Sequence, residues 1–176
     1  DNRGTETASV LHSAIQLDRP EGLSEVPLAL AVVIPTFNET ANVRALLDRL
    51  SIALAGISWE AIFVDDNSPD GTAESIRAIG QYSSRVRVLQ RIGRRGLSSA
   101  VIEGMLATSA PVIAVMDADL QHDETILPQL YRAVAEEGKD LAVGTRYAEG
   151  GGVGDWNAHR HAASRIATKI SHLMTG

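Results

Sequence analysis

The chain has 176 residues, 44% hydrophobic and 22% charged, with a formal net charge of −6 and a mean hydropathy of −0.01. This is the size of one domain with enough apolar material for a core, which excludes a disordered chain. The lack of cysteine excludes disulfide scaffolds, thiolate metal sites and cysteine nucleophiles. The acidic balance argues against nucleic-acid binding, and no apolar run approaches the roughly 18 residues of a membrane span.

Residues 1–27 lack sustained periodicity, contain Pro20, Gly22 and Pro27, and have neither the basic nor the apolar region of a signal peptide. They read as a mobile arm. Short apolar runs follow at Leu28–Ile34, Ala61–Val64, Val86–Leu89, Val112–Met116 and Leu141–Val143. Continuous runs of this length, rich in β-branched residues, predict buried strands. Between them, apolar residues recur at helical spacing. Val43, Leu46, Leu47, Leu50 and Leu54 mark the first helix, Ala73, Ile76 and Ile79 the second. Leu97, Val101 and Met105 mark the third, and Ile126, Leu127, Leu130 and Val134 the fourth. Ala162, Ile166, Ile170 and Leu173 predict a last helix near the end of the chain. This alternation predicts an α/β domain: a mainly parallel sheet with helices on both faces.

The polar clusters fall just after strands. They are Pro35-Thr36-Phe37-Asn38-Glu39, Asp65 to Thr72, Asp117 to His122, and Gly144-Thr145-Arg146. The carboxyl ends of parallel strands line one edge, so these clusters are expected to converge on one crevice. Carboxylates brought together need a cation or hydrogen-bond donors to offset their repulsion. Asp117-x-Asp119 with Gln121 supplies oxygen ligands for a hard cation, Mg2+ or Mn2+, better than for zinc, since only His122 offers nitrogen nearby. Asn38 and Asp70 also suit helix caps, and Asp65-Asp66 also suits a solvated loop. Arg91, Arg94 and Arg95 read either as a solvated basic turn or as the border of an anion site. From Gly144 onward four bases (Arg146, Arg160, Arg165, Lys169) outnumber two acids (Glu149, Asp155), so the tail is basic and the rest of the chain acidic. Gly150–Gly154 reads as a loop on which a lid could hinge. No P-loop and no G-x-G-x-x-G after a strand is present. A phospho-acceptor signalling domain would place its acid pair after the first strand, and a nucleotidyltransferase a glycine-rich loop there; neither pattern occurs.

Taken in order, VVIPTFNE (Val32–Glu39), VDDNSPDGT (Val64–Thr72), GLSSAVIEG (Gly96–Gly104), MDADLQH (Met116–His122), GTRYAEGG (Gly144–Gly151) and W-x-x-x-R-x-x-x-S at Trp156, Arg160 and Ser164 resemble glycosyltransferase family 2. Within it they resemble the dolichol- or polyprenol-phosphate mannosyltransferases. The resemblance implies a GT-A-type nucleotide-sugar-binding fold. It implies that Pro35, Phe37 and Glu39 border the nucleotide, that Asp66 contacts its base, and that Asp117 and Ala118 lie along the ribose and diphosphate. It assigns the metal to Asp119 and Gln121, and the acceptor phosphate to Arg146, Arg160 and Ser164, with Asp119, Arg146 and Arg160 as the residues central to catalysis. Residues 28–146 then form the nucleotide-sugar and metal-binding domain, and 147–176 the acceptor loop and the start of an acceptor-side helix. The expected reaction moves a hexose, mannose first, from a nucleotide-sugar such as GDP-mannose to a polyprenyl or dolichyl phosphate. UDP-glucose chemistry, and nucleotide binding without turnover, are the alternatives. The expected location is the cytoplasmic face of a membrane, reached peripherally or through segments outside this chain. The family continues past the point where this sequence stops, so a longer protein is expected.

Overall fold

The computed structural model describes residues 26–145. The arm up to residue 25, the last predicted helix, the hinge loop, Arg146, Arg160 and Ser164 therefore lie outside the described residues. Four parallel strands, β1 (Leu30–Thr36), β2 (Trp59–Asp65), β3 (Val86–Gln90) and β4 (Val112–Val115), form one sheet in the order β3-β2-β1-β4. Helices α1 (Thr40–Ala53), α2 (Thr72–Gly80), α3 (Leu97–Leu106) and α4 (Leu127–Ala135) connect or follow them, with a 3₁₀ turn at Glu124–Ile126 leading into α4.

Period-2 alternation divides the central strands between two cores. Leu30, Val32 and Ile34 of β1 and Trp59, Ala61 and Phe63 of β2 pack with Val43, Leu46 and Leu50 of α1, Ile76 of α2 and Leu127 of α4. Ala31, Val33, Ile62 and Val64 face the other way, against Ala100 and Ala110. Helices α1, α2 and α4 therefore cover one face and α3 the other. The steps β1 to β2 and β2 to β3 move one way along the sheet, whereas β3 to β4 returns past β1. Right-handed crossovers then require the third helix to change faces, as it does.

Helix α3 is turned opposite to expectation. Its small residues Ala100 and Gly104 are buried, while Leu97 and Met105 are exposed. The cause is close approach to the sheet: a Cβ on Gly104 would stand 2.3 Å from Cγ1 of Val33 and 3.1 Å from Cγ2 of Val64. Only small residues fit that contact, so the large aliphatic side chains point away. The expected strand at Leu141–Val143 is also corrected. Those residues form no ladder, and Leu141 and Val143 are 78% and 69% exposed. A three-residue apolar run offers little burial of its own, and no strand among the described residues pairs with it.

Strands β1 and β2 extend beyond their predicted ends, to Thr36 and Asp65. Pro35 is tolerated in a central strand because of where its missing N–H points. The carbonyl of Val33 accepts from Met116 on the β4 side and that of Thr36 from Asp66 on the β2 side. Alternation places Pro35 toward β4, whose ladder has already ended at Val115. Beyond Pro35, β1 and β4 part, and β1 is also the strand from which the connections run in opposite directions.

Candidate active site at the carboxyl edge of the sheet

The loops after β1 and β2 are fastened together by the buried Asp65, Ser68 and Thr72 and by the exposed Asp70. Asp65 is fully buried; its carboxylate accepts from the Ser68 amide at 2.9 Å and the Ser68 hydroxyl at 2.5 Å. Ser68 Oγ in turn accepts from the Asn38 amide at 2.9 Å. Thr72 Oγ1 accepts from the Glu39 amide at 3.0 Å and donates to Asp70. Asp70 also accepts from the first amides of α1 and α2, Thr40 at 3.1 Å and Thr72 at 3.0 Å. Desolvation pushes the Asp70 carboxyl upward, but the Thr72 hydroxyl and the Thr40 amide outweigh it and hold it at about 2. Asp70 is thus a shared helix cap. Asn38 caps nothing with its side chain: Glu39 is the N-cap residue of α1, and it makes no side-chain cap bond. Asn38 instead adopts a left-handed backbone at φ 61°, which asparagine tolerates better than most residues.

Asp66, the next residue along, faces the loop between β3 and α3. Its Oδ2 accepts from the Gly96 amide at 2.8 Å, and its Oδ1 lies 3.0 Å from Nη1 of Arg91. Arg91 is 1% exposed. It donates to the Gly96 carbonyl at 3.0 Å and to Ser99 Oγ at 2.6 Å, and lies 3.4 Å from Glu103. The ion contacts are close but not aligned as hydrogen bonds: Asp66 Oδ1 and Arg91 Nε are buried side-chain atoms without a hydrogen-bond partner among the described residues. The unpaired Asp66 Oδ1 is itself buried, against Arg91. Arg94 grips Glu103 with two hydrogen bonds of 2.9 and 2.7 Å, which hold the Glu103 carboxyl below its usual range. Arg91 is therefore no solvated turn residue, whereas Arg94 holds Glu103 from an exposed position, with 59% of its side chain accessible. The signal available in sequence was their position after a strand, facing an acid pair after the neighbouring strand.

On the far side of β1, Met116 and Ala118 are buried while Asp117 and Asp119 turn outward. Asp119 Oδ1 accepts from the Gln121 amide at 3.0 Å, with Leu120 between them at φ 60°. That backbone is unfavourable for leucine by about 1–2 kcal/mol; packing of Leu120 on the main core opposes it. Asp117 meets His122, its amide 3.3 Å from Nδ1 and its Oδ2 3.6 Å from Nε2. The described residues contain no group of three or more His, Asp or Glu able to cage a metal. What they offer is oxygen donors on a turn, with Asp119 Oδ2 outside the turn's own hydrogen bond. This fits Mg2+ or Mn2+, which bind through one or two carboxylates and take the remaining ligands from water and phosphate.

Pro35 lies near the end of β1, and Phe37 and Glu39 lie in the loop after it, with the Glu39 amide tied to Thr72 beyond β2. Phe37 is 43% exposed and carries the guanidinium of Arg95 over its ring, 4.5 Å from the centroid. Glu39 accepts from Asn42 at 2.6 Å. The fold thus brings Pro35, Phe37, Glu39, Asp66, Asp117, Ala118, Asp119 and Gln121 to one edge, with Ala118 as a buried spacer. One surface groove lies at the amino edge beside Trp59 and Tyr82, and another runs from Val88 and Leu106 to the Arg91, Arg94 and Glu103 cluster.

The sequence pattern of Glycosyl transferase family 2 matches residues 31–175. The chain belongs to that family. Family 2 relatives include proteins named dolichol-phosphate mannosyltransferase. The Pyrococcus furiosus protein is 40% identical over 146 residues, 83% of this chain and 41% of its own length. The Saccharomyces cerevisiae protein is 36% identical over 152 residues, 82% of this chain and 55% of its own. The chain spans about half the length of the curated relatives it matches. Among solved structures, the mannosyltransferase PcManGT of Pyrobaculum calidifontis, in complex with GDP-Man and Mn2+, superposes with a TM-score of 0.53 at 20% identity, over 74% of this chain and 40% of that one. Glucosyl-3-phosphoglycerate synthase of Mycobacterium tuberculosis, with Mn2+ and UDP, gives 0.50 at 25% identity, over 61% of this chain and 40% of that one. The parallel sheet flanked by helices on both faces is the GT-A-like arrangement of this family.

Proposed function

We propose that this chain is the donor-binding part of a metal-dependent, inverting glycosyltransferase that moves a hexose from a nucleotide-sugar to a polyprenyl or dolichyl phosphate. The sugar is mannose, a choice supported by the relatives named dolichol-phosphate mannosyltransferase, and the donor in this reading is GDP-mannose. The observation that carries the reading is the gathering of Phe37, Asp66 and the Asp117–Gln121 turn at the strand-order reversal in a family 2 chain, the place where open α/β sheets bind ligands. In this reading Asp66 contacts the base, Pro35, Phe37 and Glu39 border the nucleotide, and Asp117 and Ala118 run along the ribose and diphosphate. Asp119 and Gln121 hold Mg2+ or Mn2+, whose chemistry when bound is to neutralise charge gathering on the leaving diphosphate. Arg146, Arg160 and Ser164 take the acceptor phosphate and offset repulsion between the two anions. That phosphate is already ionised near neutral pH, so no general base is needed for its attack. In this reading the protein works at the cytoplasmic face of a membrane, reached peripherally or through segments outside this chain.

The test is thermal unfolding with GDP or UDP, with and without Mn2+, followed by transfer of labelled mannose from GDP-mannose to polyprenyl phosphate. Ligand at ~100 times its dissociation constant adds about 2.7 kcal/mol to stability. Stabilisation by GDP with metal, and labelled lipid product, is the expected result. Stabilisation by UDP instead moves the donor to the UDP-glucose class, and no response to either nucleotide refutes the reading.

A further inference from the structure

The loop between β3 and α3 carries Arg91, Arg94 and Arg95, and their commitments differ. Arg91 is buried against Asp66 and Glu103, and Arg94 is doubly bonded to Glu103. Arg95 is exposed and has no ion pair among the described residues, although Glu39, Asp66, Asp117 and Asp119 stand at the same edge. Its guanidinium lies over the Phe37 ring instead. A cation–π contact at an exposed site is a weak one. A guanidinium–phosphate pair is charge-assisted and can be bidentate, so it is the stronger partner.

The surroundings allow the exchange. The foot of the loop is fixed by the Arg91 amide on the Asp65 carbonyl at 2.8 Å and by the Gly96 amide on Asp66. Gly96, at φ 132°, turns the chain directly after Arg95 in a conformation that side chains resist. The Arg95 side chain can therefore leave the ring while the loop stays anchored. Phe37 stands between the Asp66 flank and the Asp117–Asp119 flank of the crevice. An anionic diphosphate held there meets carboxylates on both sides, and Arg95 is the cation of this loop with no carboxylate of its own.

We infer that Arg95 is a phosphate ligand for the donor, kept in reserve on the Phe37 ring and transferred to the diphosphate oxygens when the nucleotide enters. The inference rests on the nucleotide-sugar reading of the crevice and adds to it a named source of positive charge besides the metal. Calorimetric titration of the full chain in millimolar Mn2+ tests it, with GDP against guanosine and UDP against uridine, for wild type, Arg95→Gln and Arg95→Lys. Hydrogen bonds to charged groups contribute roughly 1.5–3 kcal/mol, so Arg95→Gln weakens the bound nucleoside diphosphate about tenfold or more. Affinity for the nucleoside stays within about twofold, Arg95→Lys recovers part of the loss, and the unliganded melting temperature falls by no more than a few degrees, the share of the lost ring contact. Equal diphosphate affinity in wild type and Arg95→Gln overturns the inference and leaves the nucleotide reading intact. Equal losses for nucleoside and diphosphate overturn it as well, by making Arg95 a base-side or structural residue. A wild type that binds none of the four compounds overturns the nucleotide reading and this inference together.

Discussion

Arg91→Met removes a charge and its donors while keeping an apolar stem of similar length. At an effective dielectric near 20, Coulomb's law assigns about 5 kcal/mol to the 3.0 Å contact with Asp66, most of it offset by the desolvation that burial requires. Removing one partner of a buried pair destabilises by about 3–5 kcal/mol. The lower end applies here, because the Asp66 and Glu103 side chains keep 14% and 30% of their exposure and Glu103 retains Arg94. A loss of about 3 kcal/mol is a large share of the roughly 5–15 kcal/mol that holds a domain together, and lowers the melting temperature by about 10 °C. Urea unfolding followed by circular dichroism measures it. A second substitution separates the charge effect from lost packing: adding Asp66→Asn to Arg91→Met removes the stranded carboxylate and recovers at least about 1 kcal/mol. An Arg91→Met protein within about 1 kcal/mol of wild type, or a double variant no more stable than the single one, refutes the assignment of Arg91 as the ionic anchor of this loop.

Gly104→Ala gains about 1 kcal/mol in helix propensity but drives a methyl into Val33, an overpacking that costs about 1–3 kcal/mol. The expected net loss in urea unfolding is about 1 kcal/mol, and Val33→Ala in the same chain reduces it. Asp70 is held at about 2 against 3.8 for its unfolded form, so its contribution is present above about pH 4 and fades as pH falls toward 2. Asp70→Asn is therefore less stable than wild type at pH 6, and the two unfolding curves converge near pH 2. Asp119→Ala abolishes the Mn2+-dependent part of nucleotide stabilisation in a melting experiment while leaving the unliganded melting temperature within about 2 °C, since Asp119 bonds only within its own turn.

The sheet and its first four helices were legible because the sequence carries their physics locally. Apolar runs such as LAVVIPT and WEAIFVD can be satisfied only by burial on both faces, and α1 repeats leucine at helical spacing. What escaped depends on distance between elements. The orientation of α3 is set by how closely it approaches Val33, which no periodicity in LSSAVIEGML records. The burial of Arg91 follows from Asp66 and Glu103 converging on it from two other elements. Leu141–Val143 illustrates the opposite failure: a β-like composition without a pairing partner among the described residues remains irregular.

The acid clusters show why spacing, more than composition, separates chemistry from scaffolding at this edge. Adjacent residues leaving a strand point to opposite faces. Asp65 and Asp66 therefore part company: Asp65 turns into the junction beneath the β1 and β2 loops and is saturated by Ser68, while Asp66 turns toward α3 and Arg91. Asp117 and Asp119 are two apart, so Met116 and Ala118 share the buried side and both carboxylates share the open one. An insertion of one residue between Asp117 and Asp119 would send one of the two inward in place of Ala118, where an unpaired carboxylate is strongly disfavoured. The same rule explains why a single substitution at Asp65 should damage folding and one at Asp119 should damage ligand binding, although both are aspartates at the carboxyl end of a strand in one sheet.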